Sequence, residues 1–248
     1  MQADFSAYEI DNDTRTLPEV CLAFAFGNVT FEERTAATYA MLCYLHGNLE
    51  TQMAVAGTLT SVADLASDEI DTPALAMARR LCCWEGGADP YAAAFAGILL
   101  GQAVRDNETV KQLFVNVPLE VGEDGEPVRL LGRVTEALAR AQAADSVMVQ
   151  TAIFVFLVSF LDECTLAVQA FLAQPNHLSI LVDAAMVPDS DLCAGLACLL
   201  LGLCAEHAED EGATPPLFSP PFACPCVFLV LIFALEFNRA VLGLLVRD

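Results

Sequence analysis

Apolar positions recur at helical steps almost without a break from Leu17 onward. Tyr91, Phe95, Ile98, Leu99 and Gln102 stand three or four positions apart, the spacing that lays side chains along one face of an α-helix. The pattern predicts a short helix over Leu17–Phe26 and a longer one over Phe31–Leu45. Thr30 caps the second, and Glu32 and Glu33 in its first turn meet the positive end of the helix dipole. Asn48 caps a further helix that reaches about Ala66. Thr72-Pro73 and Asp89-Pro90 each place a proline just inside a helix start, where its missing N–H costs nothing. Asn107 opens a pattern through Val110, Leu113, Phe114 and Val117. Residues 122–125 read as an acidic turn, and Pro127 as the start of a helix carrying Leu130, Leu131, Val134 and Leu138. Ser146 caps the most apolar segment, Val147–Leu161, which is hydrophobic nearly all round, as a helix covered on both sides must be. Helices over residues 164–173, from Pro175, and from Leu192 to about Glu206 complete the series, the last opened by residues 189–191. No strand signature interrupts it, so the predicted class is all-α.

The most apolar helices begin at Phe31, Tyr91, Val147 and Leu192, each followed by one or two amphipathic ones. That interval, roughly 45–60 residues, lies at and above the length of armadillo and HEAT units. Units of this kind bury their apolar faces against their neighbours. The expected architecture is an armadillo-like α-solenoid of stacked helical repeats, with an irregular all-α globule as the alternative.

Composition agrees with helices packed on helices. Apolar residues make up 56% of the 248. Ala and Leu, which lose little side-chain entropy in a helix, account for much of that. Asp and Glu number 33 against 11 Lys and Arg, and Lys111 is the single lysine. A net charge of −22 repels phosphate backbones and anionic headgroups. Nucleic acid and direct electrostatic docking on a membrane are thereby disfavoured. A basic protein surface is the partner such a field favours, although the same charge also serves to keep an apolar chain in solution.

Ten cysteines are present. Six of them (Cys21, Cys43, Cys164, Cys193, Cys198 and Cys204) fall within apolar helical patterns, where free Cys acts as a small buried hydrophobe. The first 18 residues are polar and acidic and carry no secretory signal. Free thiols in a reducing, cytosolic compartment are expected. Cys193, Cys198, Cys204 and His207 can be drawn as a zinc site, but no C-x-x-C pair is present and the five-residue step from Cys193 to Cys198 fits one helix face poorly. Cys224-Pro-Cys226 is weaker still, and the pair Cys82-Cys83 reads as half buried. His46 at a helix end and His177 in a first turn read as structural, as does His207. The acidic clusters Asp68-Glu69-Asp71, Glu123-Asp124-Glu126 and Glu206-Glu209-Asp210-Glu211 lack calcium-loop spacing and read as solvated junctions. No phosphate loop, dinucleotide fingerprint, nucleophile elbow or H-E-x-x-H is found. No catalytic, cofactor or metal residue is assigned, and no enzyme activity is expected.

Residues 212–225 hold five prolines and cannot form a continuous helix. The ten apolar residues 226–235 that follow are too few to cross a bilayer, which takes about 20. Extending to residues 222–246 reaches that length but buries Glu236 and Arg239. A helix completing the core, or sequence outside the true protein, is preferred, and a tail anchor is the alternative.

ERTAATYAMLCYLHGNLETQMAVAGTL at residues 33–59, residues 80–120 with the run from Asn107 to Lys111, and residues 130–209 with GLACLLLGLC at 195–204 resemble the globular head of the general vesicular transport factor family, long coiled-coil tethers between endoplasmic reticulum and Golgi. Residues 80–120 carry the family's Gly-bearing turn, its alanine-rich helix and its N-x-T-x-K start at Asn107 to Lys111. Residues 130–209 follow its helix order, and GLACLLLGLC at 195–204 is the most specific piece. The resemblance implies an armadillo-like scaffold at the cytoplasmic face of the Golgi, attached through proteins and acting in vesicle docking before fusion. The partners it implies are Golgi coiled-coil tethers, a Rab-type GTPase and the fusion machinery. It brings no catalytic residues and no cofactor. The family's head has further repeats before this point and a coiled coil after it that would dimerise the full-length protein. Sustained heptads are absent here and residues 211–248 do not match, so a truncated or divergent member is expected. The expected organisation is a flexible segment 1–16, head repeats over 17–210, and a Pro-rich linker with an apolar helix over 211–248. Another armadillo-type adaptor is the alternative function.

Overall fold

The computed structural model describes residues 15–59, 72–121, 127–186 and 191–208. The chain divides into two compact units, Met1–Cys204 and Ala205–Asp248. Of the second, only the last turn of one helix is described.

In chain order the elements are α1 (Leu17–Phe26), α2 (Phe31–Leu45), α3 (Leu49–Gly57), α4 (Pro73–Cys82), α5 (Pro90–Val104), α6 (Glu108–Asn116), β1 (Pro118–Val121), β2 (Pro127–Arg129), α7 (Leu130–Ala143), α8 (Val147–Leu161), α9 (Thr165–Leu172), α10 (Pro175–Met186) and α11 (Asp191–Ala208). Every third helix stacks on the last. One row runs α1, α4, α7, α10; a second runs α2, α5, α8; a third runs α3, α6, α9. α11 extends the second row, since Cys193 Sγ lies 3.6 Å from Thr151 Oγ1 of α8. This is the expected all-α architecture of stacked helical repeats, with three helices to the unit. Its core is continuous, from Leu22 and Met41 through Phe95, Phe114 and Phe156 to Leu181 and Leu200.

The helix starts follow from their capping residues. The Thr30 N–H donates to Glu33 Oε2 at 2.9 Å while Thr30 Oγ1 accepts from the Glu33 N–H. Asn48 and Asn107 accept from the N–H groups of Thr51 and Val110. Ser146, by contrast, makes no side-chain cap.

Two boundaries differ from the sequence reading, and a short strand pair stands where no strand was expected. α3 stops at Gly57 rather than near Ala66, because Thr58 turns the chain: its hydroxyl donates to Val55 O and accepts from the Ala74 N–H. Pro127 opens a strand, not a helix, and α7 begins at Leu130. β1 and β2 pair antiparallel, Val121 opposite Pro127, with an irregularity between Pro118 and Glu120. A proline suits the first residue of a short edge strand as well as it suits the first helical turn, so its signal at 127 was ambiguous. The acidic turn 122–125, the acidic clusters at 68–71 and 123–126, and the tail 211–248 lie outside the described residues, as does nearly all of segment 1–16. No described helix is long and apolar enough to cross a membrane.

One turn recurs wherever the second row hands over to the third. Gly47, Asp106 and Glu163 all have positive φ (62°, 54° and 48°). The residue after each, Asn48, Asn107 or Cys164, takes nearly the same backbone shape, with ψ of 85°, 87° and 87°. Buried polar side chains four positions past Asn48 and Asn107 then join the units. Gln52 Nε2 donates to the carbonyls of Gln102 (3.0 Å) and Arg105 (3.1 Å), and Asn107 Nδ2 donates to Gln52 Oε1 at 3.0 Å. One repeat later Lys111, itself buried, donates through Nζ to the Asp162 carbonyl.

Candidate interaction surface

The second row is packed closely enough to act as a plate. α5 is rich in Ala and Gly, and α8 lies hard against it. A Cβ added to Gly97 would stand 2.9 Å from Ala152 O, and one on Gly101 would stand 3.5 Å from Phe156 Cα. These two contacts advance together along both helices, so α5 and α8 run parallel and in step, with their first turns side by side. α2 joins at the same end. Phe31 meets Tyr91 edge-on with ring centroids 5.1 Å apart, and lies 6.2 Å from Phe95. Arg34 is buried beneath them. Its Nε donates to Ala25 O at 2.9 Å, its Nη1 pairs with Asp89 at 2.7 Å, and its guanidinium lies 5.6 Å over the Phe95 ring.

On helices buried nearly all round, one line of residues reaches solvent. It holds Ile98 and Gln102 on α5 with Arg105 at its C-cap, and Val155 and Ser159 on α8 with Asp162 at its C-cap, the same interval apart in each pair. Tyr39, Cys43 and His46 on α2 and its C-cap, and Cys198 and Gly202 on α11, continue the line. Between its ends this face is uncharged, in a chain whose net charge is −22. At the C-terminal end of the row it meets Arg105, Asp106, Asp162 and Glu163. At the N-terminal end it meets an apolar ridge: Phe31, Tyr91, Val147 and Met148, exposed by 37%, 40%, 41% and 40%. A 15-residue helix spans about 22 Å, so the face is long enough for several turns of a partner segment.

Cys43 and Cys198 correct the sequence reading: they lie on this open line and are exposed, whereas Cys21, Cys164, Cys193 and Cys204 are buried. Cys82 is buried and Cys83 exposed, and all eight described cysteines are free thiols. Burial pushes the Cys204 thiol up to about 11. Among the described residues no three His, Cys, Asp or Glu side chains gather to hold a metal ion. The side chain of His207, residues 209–211 of the last acidic cluster, Cys224 and Cys226 lie outside the described residues, and Glu206 is exposed. His46 is exposed at the C-cap of α2.

His177 is structural. It is buried between rows, its Nδ1–H donating to Phe171 O (3.1 Å) and its Nε2 accepting from Thr135 Oγ1 (2.8 Å). Burial lowers its pKa below the ordinary 6.5, only partly opposed by the bond to Phe171. As pH falls through about 6.5 the unfolded chain takes up a proton that the folded chain resists, so folding stability declines from there toward the lower folded pKa. Urea midpoints between pH 7.5 and 5.5 should therefore fall further for the wild type than for His177→Gln; parallel curves would disprove this.

Residues 9–215 match the family model described as Uso1 / p115 like vesicle tethering protein, head region. Golgin candidate 6 of Arabidopsis thaliana is 30% identical over 199 residues, covering 73% of this chain and 22% of its own length. General vesicular transport factor p115 of Homo sapiens is 25% identical over 177 residues, covering 70% of this chain and 18% of its own. The Bos taurus p115 matches over the same shares. The chain thus spans about a fifth of the length of these curated relatives.

Proposed function

This chain belongs to the family of Uso1/p115-like vesicle tethering proteins, to its head region, and on that premise we propose that it is a protein-binding head in vesicle tethering between endoplasmic reticulum and Golgi, acting before fusion. The match over residues 9–215 carries the reading. The stacked rows support it, because repeats of this kind present extended surfaces to partner segments. Residues 17–210 are the head on this reading, and the segments 1–16 and 211–248 flank it. The uncharged face of the second row is the binding surface. Golgi coiled-coil tethers, a Rab-type GTPase and the fusion machinery are the candidate partners. Its place is the cytoplasmic side of Golgi or vesicle membranes, reached through proteins. Its action is adhesion without a catalytic step.

The test is to express the full tagged chain in cells depleted of their own p115-type factor, then image it and extract membranes with carbonate. Recruitment to Golgi membranes that carbonate strips off is the expected result. A chain that stays diffuse and recovers no Golgi protein on affinity purification would refute the tethering role. Carbonate-resistant membrane association would instead assign residues 222–246 as an anchor.

A further inference from the structure

The apolar ridge at the N-terminal edge of the second row is ringed by acid. Glu32 follows Phe31, Glu85 and Asp89 lie in the turn before Tyr91, and Asp145 lies in the turn before Val147, all exposed. The two turns touch, since a Cβ on Gly86 would stand 3.3 Å from that of Ala144. Two cations beneath this end are held to the protein, and Arg79 and Arg80 stand in the last turn of α4. Arg34 is tied to Ala25 O and Asp89, and Arg140 donates to the carbonyls of Trp84 and Cys82. The positive end of the α2 dipole is met by Thr30 and Glu33 and that of α5 by Asp89, while α8 starts at Val147 with no side-chain cap.

We propose that the ridge of Phe31, Tyr91, Val147 and Met148 docks a basic amphipathic helix of a partner protein, whose apolar stripe covers the ridge and whose Lys and Arg residues meet Glu32, Glu85 and Asp145. Neighbouring packed helices sit about 8–10 Å apart, close to the rise of about two helical turns. One apolar anchor for each ridge helix therefore recurs about every seven residues along the docked helix. An acidic partner is opposed by the same charges that attract a basic one. This proposal rests on the reading of the chain as a binding head and names the chemistry of what it holds.

Three labelled peptides about three heptads long, titrated against the full chain by fluorescence anisotropy, decide it. One is an amphipathic Leu/Lys helix, one carries Glu in place of Lys, and one has the Leu/Lys composition scrambled. The amphipathic Lys peptide should bind at least about tenfold more tightly than either control. The double variant Tyr91→Ser, Met148→Ser should lose about that factor, while Met186→Ser, exposed on α10, changes nothing. Should Tyr91→Ser disturb the Phe31 contact and unfold the chain by circular dichroism, Met148→Ser alone is the deciding variant. Equal binding of the scrambled peptide, or no effect of the ridge variants, overturns the proposal. So does a self-association of the chain that Met148→Ser abolishes, which would give the ridge to a second copy. Golgi recruitment that survives a failed peptide test sinks the ridge alone. Peptide selectivity that survives failed recruitment upholds the ridge and sinks the tethering role.

Discussion

Gly97→Ala is expected to destabilise the folded chain by about 1–3 kcal/mol, whereas Gly101→Ala, one turn further along α5, should be neutral or stabilising by up to about 1 kcal/mol. The two glycines share a helix and differ only in what a methyl group meets. At Gly97 it would stand 2.9 Å from Ala152 O and 3.0 Å from the Ala152 carbonyl carbon, both backbone atoms of α8. Neither can swing aside as a side-chain tip can, so the helices must separate. At Gly101 the nearest atoms, Phe156 Cα and Ser159 Oγ, are 3.5 Å away, an ordinary contact. There the gain in helix propensity goes unopposed. Urea unfolding of the two variants beside the wild type is the measurement. If both come out more stable, α5 and α8 do not approach this closely. Parting them would also break the alignment that carries Ile98 and Gln102 onto one face with Val155 and Ser159.

The sequence reading placed α1, α2 and α8 at their observed ends because strong local signals bound them: Thr30 with Glu33 before α2, and a long apolar run after Ser146. Signals that serve two structures misled it, as proline did at 127. The starting points Phe31, Tyr91 and Val147 already marked the second row, and all three reappear in the ridge. The cause of the period was hidden. It lies in a shared backbone shape at Gly47, Asp106 and Glu163, three residue types with no common side chain. The exposed line of the second row was hidden for another reason. Hydrophobic periodicity locates the buried side of an amphipathic helix but says nothing about a helix apolar all round. Ile98 and Val155 are as apolar as their buried neighbours, and only packing between rows decides which of them reaches water. Cys43 and Cys198 were misplaced by the same ambiguity.

The repeat also predicts which residues can replace Lys111. Gln52 and Lys111 hold equivalent positions, four residues after the asparagine of the recurrent turn, and each donates to the carbonyl that ends a second-row helix, that of Arg105 or Asp162. Lys111→Gln therefore supplies a donor already proven in the preceding unit and should cost no more than about 1 kcal/mol. Lys111→Met keeps the buried stem but leaves the Asp162 carbonyl without this donor, a loss of about 1–3 kcal/mol. Lys111→Glu sets a carboxylate against that carbonyl in a site where the wild-type residue is only 4% exposed. An uncompensated buried charge costs about 3–5 kcal/mol, a large part of the ~5–15 kcal/mol that holds a domain folded. The expected order of urea midpoints is wild type and Lys111→Gln highest, then Lys111→Met, with Lys111→Glu lowest and losing its cooperative transition. A Glu variant as stable as the Met variant would mean that position 111 opens to water, and that the third row is not joined to the second through this bond.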